Sequence, residues 1–104
     1  MASFHEACST KDVQNGMTKM FKVSGKNVLI ANDKGSFYAL SPYCTHDGQD
    51  LDADEIVDHA LTCPRHGAVF DVRDGSVIRM PAVYGLATYP VKVENDTVFI
   101  QIGD

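Results

Sequence analysis

The sequence predicts an all-β protein, an antiparallel β-sandwich or small barrel, and three observations predict it. Turn signals at Ser24-Gly25-Lys26-Asn27, Asn32-Asp33-Lys34-Gly35, Arg73-Asp74-Gly75 and Glu94-Asn95-Asp96 recur between short runs rich in Val, Ile, Phe and Tyr. Near the end, Val91 and Val93, then Val98, Ile100 and Ile102, alternate with polar or solvent-tolerant positions, as a half-buried strand pair requires. No segment shows a helical period. The chain has 104 residues, 44% of them hydrophobic and 22% charged. That is ordinary globular composition and one domain's worth of length, so residues 1–104 are read as a single domain around one core.

The strands follow from the runs between the turns. Candidates are Ser3 to Ala7, Thr18 to Val23, Val28 to Ala31 and Phe37 to Leu40. Ala60 to Thr62, Ala68 to Asp71 and Val77 to Arg79 come next, then the terminal hairpin, whose apolar face is expected in the core. Between Ser41 and Gln49 the residues Pro, Cys, His, Asp and Gly interrupt any strand period, and a second loop runs from Cys63 to Gly67. Each loop follows directly on a candidate strand, so two rigid hairpin ends can present them side by side.

These loops hold Cys44-Thr45-His46 and Cys63-Pro64-Arg65-His66, two Cys/His pairs separated by 16 residues. One Cys and one His in each short loop can approach a common point, and thiolate with imidazole suits iron or zinc. Structural zinc sites more often pair like with like, as in C-x₂-C with H-x₃₋₅-H, whereas each loop here is mixed. On spacing alone a zinc module stays open, as does a Cys44 to Cys63 disulfide that would leave both histidines without a reason. Cys8 has no nearby His or Cys at ligand spacing and reads as a small buried or free thiol. His5 and His59 read as surface residues, and Phe70 and Tyr89 as core aromatics.

The residues around the pairs carry a family resemblance. Cys44-Thr45-His46-Asp47-Gly48 and Cys63-Pro64-Arg65-His66-Gly67-Ala68-Val69-Phe70-Asp71 closely resemble the Rieske iron-sulfur signature. Tyr38 to Leu40, Met80-Pro81-Ala82 and Thr88-Tyr89-Pro90-Val91 look like the Rieske ferredoxins of bacterial ring-hydroxylating oxygenase systems, so nearly the whole chain is covered. The resemblance implies a Rieske domain with a cluster-binding subdomain formed by two hairpin loops. It implies one [2Fe–2S] cluster on Cys44, His46, Cys63 and His66, thiolates on one iron and imidazoles on the other. It also implies that Pro81 lies in a loop shielding the cluster.

Such ferredoxins carry single electrons from an NAD(P)H-dependent flavin reductase to a terminal non-haem iron oxygenase of the aromatic-compound dioxygenase type. The small subunit of assimilatory nitrite reductases also looks like a Rieske domain and offers an alternative. Two ferric ions, two sulfides and two thiolates sum to zero charge with neutral imidazoles, so electron entry is easier than for an all-thiolate cluster and potentials span about −150 to +300 mV. The chain departs from the high-potential respiratory branch of the family at four positions. Gln49 and Arg65 stand where that branch carries an extra cysteine pair, Ala68 where it has a serine and Phe70 where it has a tyrosine.

The remaining signals narrow the class. A formal charge of −5 disfavours nucleic acid and favours protein partners with basic faces. There is no nucleotide-binding glycine fingerprint, no Ser-His-Asp arrangement and no separate mononuclear iron motif. The chain is therefore read as a carrier and not an enzyme. The start MASFHEACSTK lacks the apolar run of a secretion signal and no stretch is long enough to cross a bilayer, so the expectation is a cytoplasmic monomer. Asp47, Asp50, Asp52, Asp54, Glu55 and Asp58 follow the first loop with no Lys or Arg among them, a candidate steering surface.

Overall fold

Three sequence-marked turns hold positive φ at both central residues: Ser24 and Gly25 (51° and 79°), Lys34 and Gly35 (56° and 90°), Asn95 and Asp96 (50° and 63°). These are primed hairpin turns, whose twist matches the right-handed twist of the strands they join. In a computed structural model describing residues 2–43, 55–63, 67–80 and 84–103 they connect an all-antiparallel chain of strands. In order these are β1 (Ala2–Ser9), β2 (Met17–Val23), β3 (Lys26–Asp33), β4 (Ser36–Leu40) and β5 (Ala60–Thr62). There follow β6 (Val69–Asp71), β7 (Val77–Arg79), β8 (Thr88–Tyr89), β9 (Val91–Glu94) and β10 (Thr97–Gly103). The one helical element among the described residues is a 3-10 turn at Thr10–Asp12, capped by the Ser9 hydroxyl, which accepts from the Lys11 N–H at 3.2 Å.

Among the described residues three sheets result, ordered β1-β10-β9, β2-β3-β4-β8 and β5-β6-β7. The middle one is covered on both faces, and β3 shows why. Its Val28 and Ile30 enter a core with Cys8, Val13, Val98, Ile100 and Ile102 from the first sheet's side. The alternate residues Leu29 and Ala31 enter a second core with Leu61, Cys63, Ala68 and Phe70 from the third sheet. A strand packed on both faces needs a continuous apolar run, which Val28-Leu29-Ile30-Ala31 supplies. Among the described residues there are thus two cores, one on each face of the middle sheet, where composition suggested one.

Two further differences have local causes. β8 is two residues long, ends at Pro90 and pairs with β4 through Ala39↔Tyr89 and Leu40↔Thr88, too short for periodicity to register. Val93, expected in the core, is exposed: β9 is an edge strand, and Val93 lies two residues before the Asn95–Asp96 turn. Val98, Ile100 and Ile102 are buried as the alternation requires. Among the described residues no helix is long and apolar enough to cross a membrane.

Candidate metal centre

Cys63 follows β5 directly and its side chain is 0% exposed. It packs in the core formed by Leu40, Leu61, Ala68, Phe70 and Leu86 and carries a free thiol. Two backbone hydrogen bonds close the loop behind it: the Cys63 N–H donates to the Ala68 carbonyl at 2.7 Å, and the Gly67 N–H donates to the Cys63 carbonyl at 2.9 Å. The loop's chord is thereby fixed, whatever it carries at 64–66. Cys44, His46 and His66, the other three candidate ligands, lie outside the described residues, as do Pro81 and the acidic Asp47, Asp50, Asp52 and Asp54. A buried thiol with no disulfide partner, at the closed base of a loop that also holds a histidine, is the donor chemistry an iron-sulfur cluster takes.

The third sheet stands on the middle one by its turn end. The Asp58–His59 turn, again with both residues at positive φ (51° and 63°), begins β5. The His59 ring, expected at the surface, is held through Nδ1 by the buried carboxylate of Asp33 at the end of β3. Its carbonyl accepts the Val72 N–H at 2.8 Å, and the Ile56 N–H donates to the Gly16 carbonyl at 2.8 Å. Arg73 forks onto Asp71 at 3.0 and 2.7 Å and holds that carboxyl below the usual carboxylate range. Register then carries Cys63, Ala68 and Met80 to the opposite end: Thr62 pairs with Val69, and Val69 with Arg79. Glu55, bridged to Met17, and Asp58 sit at the turn end, so these two members of the acidic run are remote from Cys63 along the strands.

The stem of the first candidate loop is also tied. Ser41 donates its N–H to the Ala87 carbonyl at 2.8 Å, and the Tyr43 hydroxyl, one residue before Cys44, accepts from the Asn27 amide at 3.1 Å. A cleft of about 530 Å³ between β4, the Val72–Arg73 turn and Thr88–Val91 is not lined by Cys63, and among the described residues Arg73, its one charged lining residue, is already paired with Asp71.

Cys8 behaves as its isolation predicts. It is buried in the core beneath β1, and burial with the nearby Asp12 charge pushes its thiol up to about 11. A thiol so reluctant to ionise is a poor metal ligand. Cys8→Ser is therefore expected to leave iron content and visible absorption at wild-type values. Iron-free Cys8→Ser protein would show the ligands to be misassigned.

Fold and site together define a β-domain with a buried thiol at the free end of its third sheet, the layout of a domain that carries a metal centre on loops. The chain belongs to the Rieske [2Fe–2S] domain family, whose model matches residues 3–90. The cofactor of that family is a [2Fe–2S] cluster, and the zinc alternative gives way to it. Among curated relatives, human apoptosis-inducing factor 3 is 31% identical over 94 residues, 90% of this chain, although the chain spans only 16% of that protein's length. The ferredoxin component of the naphthalene 1,2-dioxygenase system of Pseudomonas putida is 31% identical over 97 residues, 93% of each chain. Among solved structures, the ferredoxin of carbazole 1,9a-dioxygenase from Nocardioides aromaticivorans IC177 superposes with a TM-score of 0.86 at 27% identity, covering 94% of this chain and 96% of that one.

Proposed function

We propose that residues 1–104 form one domain that holds a [2Fe–2S] cluster on Cys44, His46, Cys63 and His66 and ferries single electrons from an NAD(P)H-dependent flavin reductase to a terminal non-haem iron oxygenase of the aromatic-compound dioxygenase type. The observation that carries this reading is the coextensive match to a dioxygenase ferredoxin component, 93% of both chains. The bound cluster supplies a one-electron site. The protein's own part is to bury Cys63 in an apolar core and to fix both loop stems with backbone hydrogen bonds, so that little reorganises when charge changes. A preformed environment that need not move is what a fast carrier requires. It acts as a carrier and not an enzyme, as a monomer in the cytoplasm. The test is iron and acid-labile sulfide analysis of the red-brown protein, then product formation by the cognate reductase and oxygenase with and without it. A colourless, zinc-loaded protein, or oxygenase turnover indifferent to its presence, sinks the reading.

Steering gives a second expected outcome. Asp47 and Asp50 are the acidic residues closest in sequence to His46, and complementary charge there accelerates encounter more than it tightens a complex. With a Debye length of roughly 10 Å at 0.1 M salt, raising ionic strength is expected to slow electron transfer between dilute partners. Replacing both residues with Asn is expected to flatten that dependence. Stopped-flow rates across a salt series check it; an unchanged slope in the double variant removes the steering role.

A further inference from the structure

The chain between β7 and β9 touches both candidate ligand stems through its backbone. The Leu86 N–H donates to the Gly75 carbonyl at 2.7 Å, in the turn joining β6 to β7 of the Cys63 sheet. One residue on, the Ala87 carbonyl accepts the Ser41 N–H at 2.8 Å, and Thr88 pairs with Leu40, the last residue of β4 and the root of the Cys44 loop. Leu86 itself is buried in the same core as Cys63, Leu40 and Ala68. Residues 85–89 thus form a strap with the Cys63 sheet hydrogen-bonded on one side and the Cys44 stem on the other.

Two glycines make that approach possible. A Cβ at Gly75 would lie 2.2 Å from the Leu86 carbonyl oxygen, and one at Gly85 would lie 2.7 Å from the Gly75 carbonyl oxygen. Both obstacles are backbone, so neither can swing aside. Gly75 in addition sits at φ 76°, a left-handed conformation that side chains resist. Gly35 is different: it too has positive φ (90°), yet a Cβ there would meet nothing within 4 Å. Close backbone contact between the strap and the Gly75 turn therefore separates Gly75 and Gly85 from a glycine that merely serves a turn.

We propose that Gly75 and Gly85 are positioning residues for the metal centre: by letting two backbones meet without side chains, they allow the strap to fix the Cys63 sheet and the Cys44 stem relative to one another. The proposal rests on the cluster reading above for its consequence, but its geometry does not. Any Cβ at either position pushes Leu86 off Gly75 and drags Ala87 from Ser41, so a change at the Cys63 sheet is felt at the Cys44 stem.

Gly85→Ala is the decisive variant, because it adds a clash without a forbidden φ. Amide hydrogen exchange on the purified protein is expected to quicken at Leu86 and at Ser41 together, by roughly five- to tenfold, the effect of weakening one backbone hydrogen bond at each. The cluster is expected to bleach faster under a chelator by a similar factor and to show a shifted reduction potential. Gly75→Ala should be more severe and assemble little or no cluster; if it fails to fold, Gly85→Ala still decides. Gly35→Ala is the control, expected to lower thermal stability while leaving potential and bleaching rate unchanged. Exchange that quickens at Leu86 alone, or a Gly85→Ala protein whose potential and bleaching match wild type, overturns the proposal. Wild-type protein that holds no iron overturns the cluster reading instead, and the paired exchange result then stands or falls separately.

Discussion

Cys63→Ser and Cys44→Ser are each expected to give colourless protein without stoichiometric iron, the largest effect any single substitution should produce here. The soft thiolate is what holds ferric iron at such a centre, and a serine hydroxyl ionises far too weakly to replace it. No other cysteine can step in: Cys8 is buried in the opposite core, across the middle sheet from Cys63. Loss of colour alone does not separate ligation from folding, because Cys63 is itself a core residue at 0% exposure. A serine there also buries a hydroxyl, which costs about 1 to 3 kcal/mol when unpaired. Cys63→Ala removes that penalty while keeping a small apolar side chain in the packing. Both variants should be colourless, with Cys63→Ala the more stable of the two by circular dichroism melting. Retained iron and visible absorption in folded Cys63→Ala would remove Cys63 from the ligand set.

The sequence was most legible where the physics is local. Ala60–Thr62 and Val77–Arg79 were bounded to the residue, and the turn pairs at Ser24-Gly25, Lys34-Gly35 and Asn95-Asp96 form where Gly and Asn/Asp tolerate positive φ. Strand alternation also placed Val98, Ile100 and Ile102 correctly. What it missed depends on long-range geometry. His59 has no feature in the sequence that ties it to Asp33, 26 residues away, because the link exists only once the third sheet stands on β3. Val93 alternates as a core residue should, and only the order β1-β10-β9 puts it at an edge. The strap is invisible for a further reason: Gly85-Leu86-Ala87 works through backbone groups and through absent side chains, and neither leaves a periodic signal. For the metal centre the two Cys/His pairs were plain in sequence, and the structure adds for Cys63 its burial and the hydrogen bonds that close its loop.

The reduction potential is expected near the lower end of the Rieske range, and the structure makes the reason testable at two buried positions. Ala68 and Phe70 stand where the high-potential branch is expected to carry hydroxyls that donate to the cluster, and both are fully buried in the core that contains Cys63. Ala68 is the nearer, since its carbonyl takes the Cys63 N–H at 2.7 Å, while Phe70 pairs with Leu61 two residues before Cys63. Neither side chain has a hydrogen to give. A donor stabilises the reduced state, which carries one more negative charge, so its absence lowers the potential. Hydrogen bonds to charged groups contribute about 1.5 to 3 kcal/mol. At ~59 mV per ~1.4 kcal/mol for one electron, each missing donor lowers the potential by on the order of 65 to 130 mV. Ala68→Ser and Phe70→Tyr are accordingly expected to raise the potential, each by about that amount. The alternative outcome is distinct. A hydroxyl that reaches no acceptor in this core stays unpaired, and it costs about 1 to 3 kcal/mol of stability without moving the potential. Protein-film voltammetry with thermal melting on both single variants tells these apart. A wild-type potential well above that of the standard hydrogen electrode, or hydroxyl variants that lose stability at constant potential, would show that groups other than residues 68 and 70 set it.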